Sequence, residues 1–129
     1  MPDTETIYAT FERAAEKCAD PAPLIYQRLF ELRPEFEPLF DMDTDGGVRG
    51  SMVQTCFDAI LGLLEGEPSQ RVIISSARFS HTGYGLVEAD LDLMFGVIRD
   101  TFRELLADEW TGEDETAWSN LLQEIAAID

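Results

Sequence analysis

Apolar residues in this chain recur three and four positions apart, and proline or glycine divides the recurrence into segments, the pattern of a stack of amphipathic helices. Ile7, Phe11, Ala14, Ala15 and Cys18 keep that spacing. Asp20-Pro21-Ala22-Pro23 ends the first segment and opens the next, because proline suits a first helical turn, where its missing N–H costs nothing. Leu24, Ile25, Leu29, Phe30 and Leu32 follow, and the segment stops before Pro34, whose ring disfavours helical backbone at the preceding residue. Met52, Val53, Cys56, Phe57, Ile60, Leu61 and Leu64 form the cleanest stripe, closed by Gly66-Glu67-Pro68-Ser69. From Gln70 to Ser80 the run Val72-Ile73-Ile74 also suits a strand, but Ile73, Ala77 and His81 stand four apart, as on one helical face. Gly83 and Gly85 stop that segment. Leu91, Met94, Ile98, Phe102 and Leu105 make another stripe. Thr111 and Asp114 have the spacing of a capping box ahead of Trp118, Leu121, Leu122, Ile125 and Ala126. Asp45-Gly46 lies between helical stretches rather than between alternating runs, so it signals no hairpin. The expectation is an all-α fold of six or seven helices in a single domain over residues 1–129.

Charge narrows the partners. The chain carries 26 Asp and Glu against 9 Lys and Arg, a formal net charge of −17, and Lys17 is its only lysine. Such a surface repels phosphate backbones and anionic lipid, so neither nucleic acid nor membrane is expected as a partner. It predicts a solvated, self-repelling protein; adaptation to high salt or a basic partner would fit the same charge, and monomer and dimer both stay open. No run of about 18 apolar residues could span a bilayer. The acidic start Met1-Pro2-Asp3-Thr4-Glu5 is unlike a signal peptide. Cys18 and Cys56 have no C-x-x-C spacing, which favours core thiols in a reducing cytoplasm over a disulfide framework.

Two places could carry chemistry. His81 is the single histidine, set at the end of an apolar helical face just before a glycine break. A neutral imidazole there can ligate a metal, with a flat apolar cofactor against the face; the plainer alternative is a surface or internally satisfied side chain. Asp41-Met42-Asp43-Thr44-Asp45-Gly46 reads as the first half of an EF-hand loop, with Val48 at its hydrophobic position. The bidentate Glu that should close the loop is Met52, and the loop is unpaired, so an acidic interhelical loop and weak cation binding are the competing readings. No nucleophile elbow, Walker loop, dinucleotide fingerprint or zinc constellation is present.

Several motifs fall in one family's order. Ile25-Tyr26-Gln27-Arg28-Leu29-Phe30, Pro34 with Leu39-Phe40-Asp41-Met42, His81-Thr82-Gly83-Tyr84 and Ala117-Trp118 resemble the second helix, the corner after it, the proximal histidine turn and the last helix of bacterial haemoglobins. The haem domain of flavohaemoglobins has the same pattern, and the resemblance covers essentially the whole chain. It implies a globin-like fold and one non-covalent haem b, there being no C-x-x-C-H. In that frame His81 binds iron, Phe40 stacks on the porphyrin, Tyr26 is the distal tyrosine that donates to bound O₂, Val53 lies over the iron, and Leu86 and Met94 are further haem contacts. Arg49 takes the distal position, where the family more often has Gln or His, and either reaches the gas ligand or turns to a propionate. A slip of one residue would offer Gly50 and Gln54 instead; with Arg49 in place, Gly50 sits where a close helix crossing favours glycine.

The resemblance also implies function. A haem pocket of this kind binds O₂, NO or CO for storage, delivery or sensing, and the same pocket serves haem redox chemistry such as NO detoxification. Leu91 stands where flavohaemoglobins have a proximal tyrosine, the matching glutamate position falls beyond Asp129, and no reductase domain follows. Peroxidase-like chemistry and self-sufficient NO dioxygenation are therefore not implied; an NO dioxygenase would need an external reductase. The remaining alternative is a calcium-responsive interaction module built on Asp41, Asp43 and Asp45.

Overall fold

The computed structural model describes residues 2–81, 83 and 88–128, and every regular element among them is helical. The α-helices are α1 (Pro2–Lys17), α2 (Ala22–Leu32), α3 (Gly47–Leu64), α4 (Pro68–His81), α5 (Glu88–Leu106) and α6 (Gly112–Ala126). Short 3-10 segments cover Pro34–Phe40 and Ala107–Glu109. The segment holding Val72-Ile73-Ile74 is helical, not extended.

Local chemistry sets the ends. Pro34 opens the first 3-10 segment, and the Arg33 N–H closes α2 on the Leu29 carbonyl. Gly46 (φ 76°) turns the chain into α3, and Gly66 (φ 78°) turns it out again, backbone that a side chain would strain. At α6 the Thr111 hydroxyl accepts from Asp114 N at 3.1 Å while the Asp114 carboxylate accepts from Thr111 N at 2.9 Å, so the expected capping box forms. Arg13 reaches the same carboxylate at 2.9 Å and ties α1 to the start of α6.

α5 is the central helix: α1, α2, α4 and α6 all pack on it, α1 also packs on α6, and α3 joins α2 to α4. One aromatic cluster fills the α1–α5–α6 side. Phe11 meets Phe57 and Phe102 edge-on with centroids 5.2 and 5.1 Å apart, and Phe102 meets Trp118 at 5.8 Å. The buried Trp118 indole donates to Thr10 Oγ1 at 3.0 Å, and Thr10 donates to the Ile7 carbonyl, so these two buried groups are satisfied.

Three expectations change. α4 turns Ile74 and Arg78 inward, while Ile73 is 42% exposed and Ala77 and His81 are half-buried, so the Ile73–Ala77–His81 row is not the face against the core. A β-carbon at Gly50 would meet nothing within 4 Å, so no close crossing accounts for that glycine. The tight glycine is Gly62, where a β-carbon would stand 2.3 Å from Gln70 Cγ, because α3 and α4 approach closely there. Cys18 is a half-buried free thiol that is not part of the core, whereas Cys56, also half-buried, packs against it.

Candidate functional site

A second aromatic cluster lies where α2 meets the first 3-10 segment. The inward face of α2 carries Ile25, Tyr26 and Leu29. Tyr26 is 2% exposed; its ring stands 5.7 Å from Phe30 and 5.2 Å, edge-on, from Phe40, which are themselves 5.7 Å apart. Pro34 starts the turn that brings Phe40 back onto α2, which is how residues fourteen apart in sequence share one packing site. The Tyr26 hydroxyl is buried and has no hydrogen-bond partner among the described residues. Burial, with a smaller contribution from Cys56, raises its pKa well above the ordinary phenol range, so the group is a neutral donor. Leaving such a donor unused costs about 1–3 kcal/mol. Val53 and Met94 are buried in the same hydrophobic core as Tyr26. Burial also pushes the Cys56 thiol up to about 12, so it is protonated and chemically quiet.

Arg49 turns to the acidic loop. Its Nε donates to Asp43 Oδ2 at 3.0 Å and its Nη2 to the Asp43 carbonyl at 3.0 Å. It still walls a cavity of about 570 Å³ together with Tyr26, Gln27, Phe30 and Gly50. Gln54 is exposed and donates to Asp58 Oδ1 at 2.9 Å, so it belongs to the outer side of α3.

The acidic loop works as a helix start. Asp43, 8% exposed, accepts from Val48 N at 3.0 Å and Arg49 N at 2.9 Å, and Asp45 accepts from Gly47 N at 2.9 Å. Burial alone would raise the Asp43 pKa; the N–H groups of Arg49 and Val48 and the Arg49 guanidinium outweigh it and hold the pKa below the usual carboxylate value. Two of the three carboxylates that match an EF-hand by spacing, Asp43 and Asp45, are thus turned to backbone donors at a helix N-terminus. Among the described residues no three His, Cys, Asp or Glu side chains come together as a metal-ligand set.

His81 is the last residue of α4. Its Nδ1 lies 2.7 Å from the Ala77 carbonyl; a carbonyl can only accept, so Nδ1 carries the proton, and in the neutral ring the lone pair is then on Nε2. That is the tautomer in which a histidine offers Nε2 to a metal. Tyr26 and Arg49 line one cavity and Phe40 packs on the Tyr26 ring, whereas His81 is not among the described residues lining that cavity. Leu86, and Thr82 and Tyr84 of the motif around His81, lie outside the described residues. Sequence reading passed over Arg78 and Asp92. Arg78, 4% exposed, binds both oxygens of Asp92, and nothing in the sequence around Arg78 announces such a pairing.

Comparison with family models, with characterised proteins and with solved structures finds no match to this chain.

Proposed function

We propose that this chain is a globin-type haem protein that binds a diatomic gas reversibly, for storage, delivery or sensing. The observation that carries the reading is the Tyr26 hydroxyl: a neutral donor, buried beside Phe30 and Phe40, with no acceptor among the described residues. A packed interior keeps an unused donor at a cost when a ligand supplies the missing acceptor. His81 supports the axial-ligand half of the reading, since its Nδ1–H is bonded to the Ala77 carbonyl and the neutral ring then carries its lone pair on Nε2. An all-helical chain whose helices pack pairwise round an aromatic cluster is the architecture the reading requires.

A b-type haem, when bound, supplies an iron atom that takes the gas. The roles of the chain's own groups follow. His81 would hold the iron through Nε2. Phe40 would lie on the porphyrin face, and Val53, Met94 and Leu86 would supply apolar wall. Tyr26 would donate to a gas ligand that gains negative charge, slowing its escape, while the surrounding rings keep water from competing for the hydroxyl. Arg49, paired with Asp43, would stand at the cavity mouth rather than on the ligand.

The test is reconstitution with haem, followed by His81→Ala and Tyr26→Phe. The expected result is a Soret band at one haem per chain, lost or altered in His81→Ala. Tyr26→Phe should release O₂ about 10–100 times faster, the worth of one charge-assisted hydrogen bond, with CO release little changed. Absence of stoichiometric haem uptake would overturn the proposal.

A further inference from the structure

Arg78 is the one buried cation among the described residues. It sits on α4, one turn before His81. Its guanidinium reaches in two directions. Nε and Nη2 span the two oxygens of Asp92 on α5 at 2.9 and 3.0 Å. Nη2 also donates to the Ile125 carbonyl at 2.7 Å, in the last turn of α6, and Nη1 donates to the Ile128 carbonyl just beyond it. A desolvated guanidinium is tolerated only when its N–H groups find such partners, and the planar fork leaves little freedom in how it meets them. This one side chain therefore ties α4 both to α5 and to the C-terminal end of the chain, alongside the exposed Arg71–Glu124 pair.

The same stretch of backbone orients the histidine. The Ala77 carbonyl that accepts from His81 Nδ1 belongs to the peptide unit leading into Arg78. We propose that Arg78 is a positioning residue for His81: its fork on Asp92 and the α6 terminus holds the Ala77 carbonyl, and through it the ring orientation and tautomer that leave the lone pair on Nε2. The purpose of this device rests on the haem reading of His81; its geometry does not.

His81 is the only histidine, so its ring ¹H and ¹⁵N signals identify themselves in a spectrum of the haem-free protein. Wild type should show mainly the Nδ1–H tautomer. Arg78→Met and Asp92→Asn should shift the ratio several-fold towards Nε2–H at temperatures well below unfolding. Arg78→Lys, which keeps charge without the fork, should not restore it. If Arg78→Met fails to fold, Asp92→Asn carries the test, because Asp92 is partly exposed and its loss leaves the Ile125 and Ile128 carbonyls bonded. In haem-loaded protein the same variants should shift the iron–histidine stretching band and lose haem about tenfold faster, roughly one charge-assisted contact. Variants that lower the melting temperature yet leave the His81 ring signals unchanged would make Arg78 a plain brace and overturn the inference. A wild type that takes no haem, with the tautomer shift intact, would support the positioning role and overturn the globin reading alone.

Discussion

Tyr26 shows how one atom can separate a packing residue from a functional one. If its hydroxyl waits for a ligand, the haem-free protein carries the cost of an unused donor, and Tyr26→Phe should stabilise it by about 1–3 kcal/mol in urea unfolding. The variant keeps the ring contacts with Phe30 and Phe40, so little packing is lost. A clear loss of stability would mean that the hydroxyl has a partner in solution and that the main support for the gas-binding reading is gone. Opposite signs for stability and gas retention in one variant would be the mark of a group held for function. The spacing of Tyr26, Phe30 and Pro34 could be read from sequence, but the missing acceptor could not, because it is a property of everything packed around the hydroxyl.

At the scale of elements, the start of α3 is where sequence pattern and folded chemistry part. The Asp41-Asp43-Asp45 spacing is shared by calcium loops and by helix caps, since both bring carboxylates to a turn closed by glycine. In this structure Asp43 serves the helix start, accepting from Val48 N, Arg49 N and Arg49 Nε. Its pKa is lowered on folding, so its stabilisation is fully present above the unfolded Asp value of about 3.9 and is lost as pH falls through the folded value. Asp43→Asn should therefore melt below wild type at neutral pH, and the gap should close in acid. A gap that persists unchanged down to the acid limit would show that the carboxylate charge contributes nothing at this turn. The capping box at Thr111 and Asp114 was legible for the opposite reason: both partners lie within four residues, so local chemistry alone decides it.

For the whole molecule the dominant fact is charge. With 26 acidic side chains and 9 basic ones, most carboxylates have no cation to pair with. The exposed pairs that do form, such as Lys17–Glu109 and Arg71–Glu124, contribute little each. Self-repulsion should outweigh them, so raising sodium chloride from about 0.01 to 0.15 M, which shortens the screening length from about 30 to 8 Å, should raise the melting temperature. A falling melting temperature would mean that ion pairs, not repulsion, set the balance.

The helical class, most helix boundaries and the breaks at Pro34, Gly46 and Gly66 were determined by the sequence itself, since periodicity, proline and glycine act over a few residues. Tertiary structure alone decided which face of each helix meets the core. It turned Ile74 and Arg78 inward instead of Ile73 and His81, left Gly50 open while crowding Gly62, and drew Arg49 to Asp43. A stripe of period 3.6 is wide enough to admit neighbouring rotations, and only the partners present on α5 and α6, with Asp92 and the terminal carbonyls waiting for a guanidinium, choose among them.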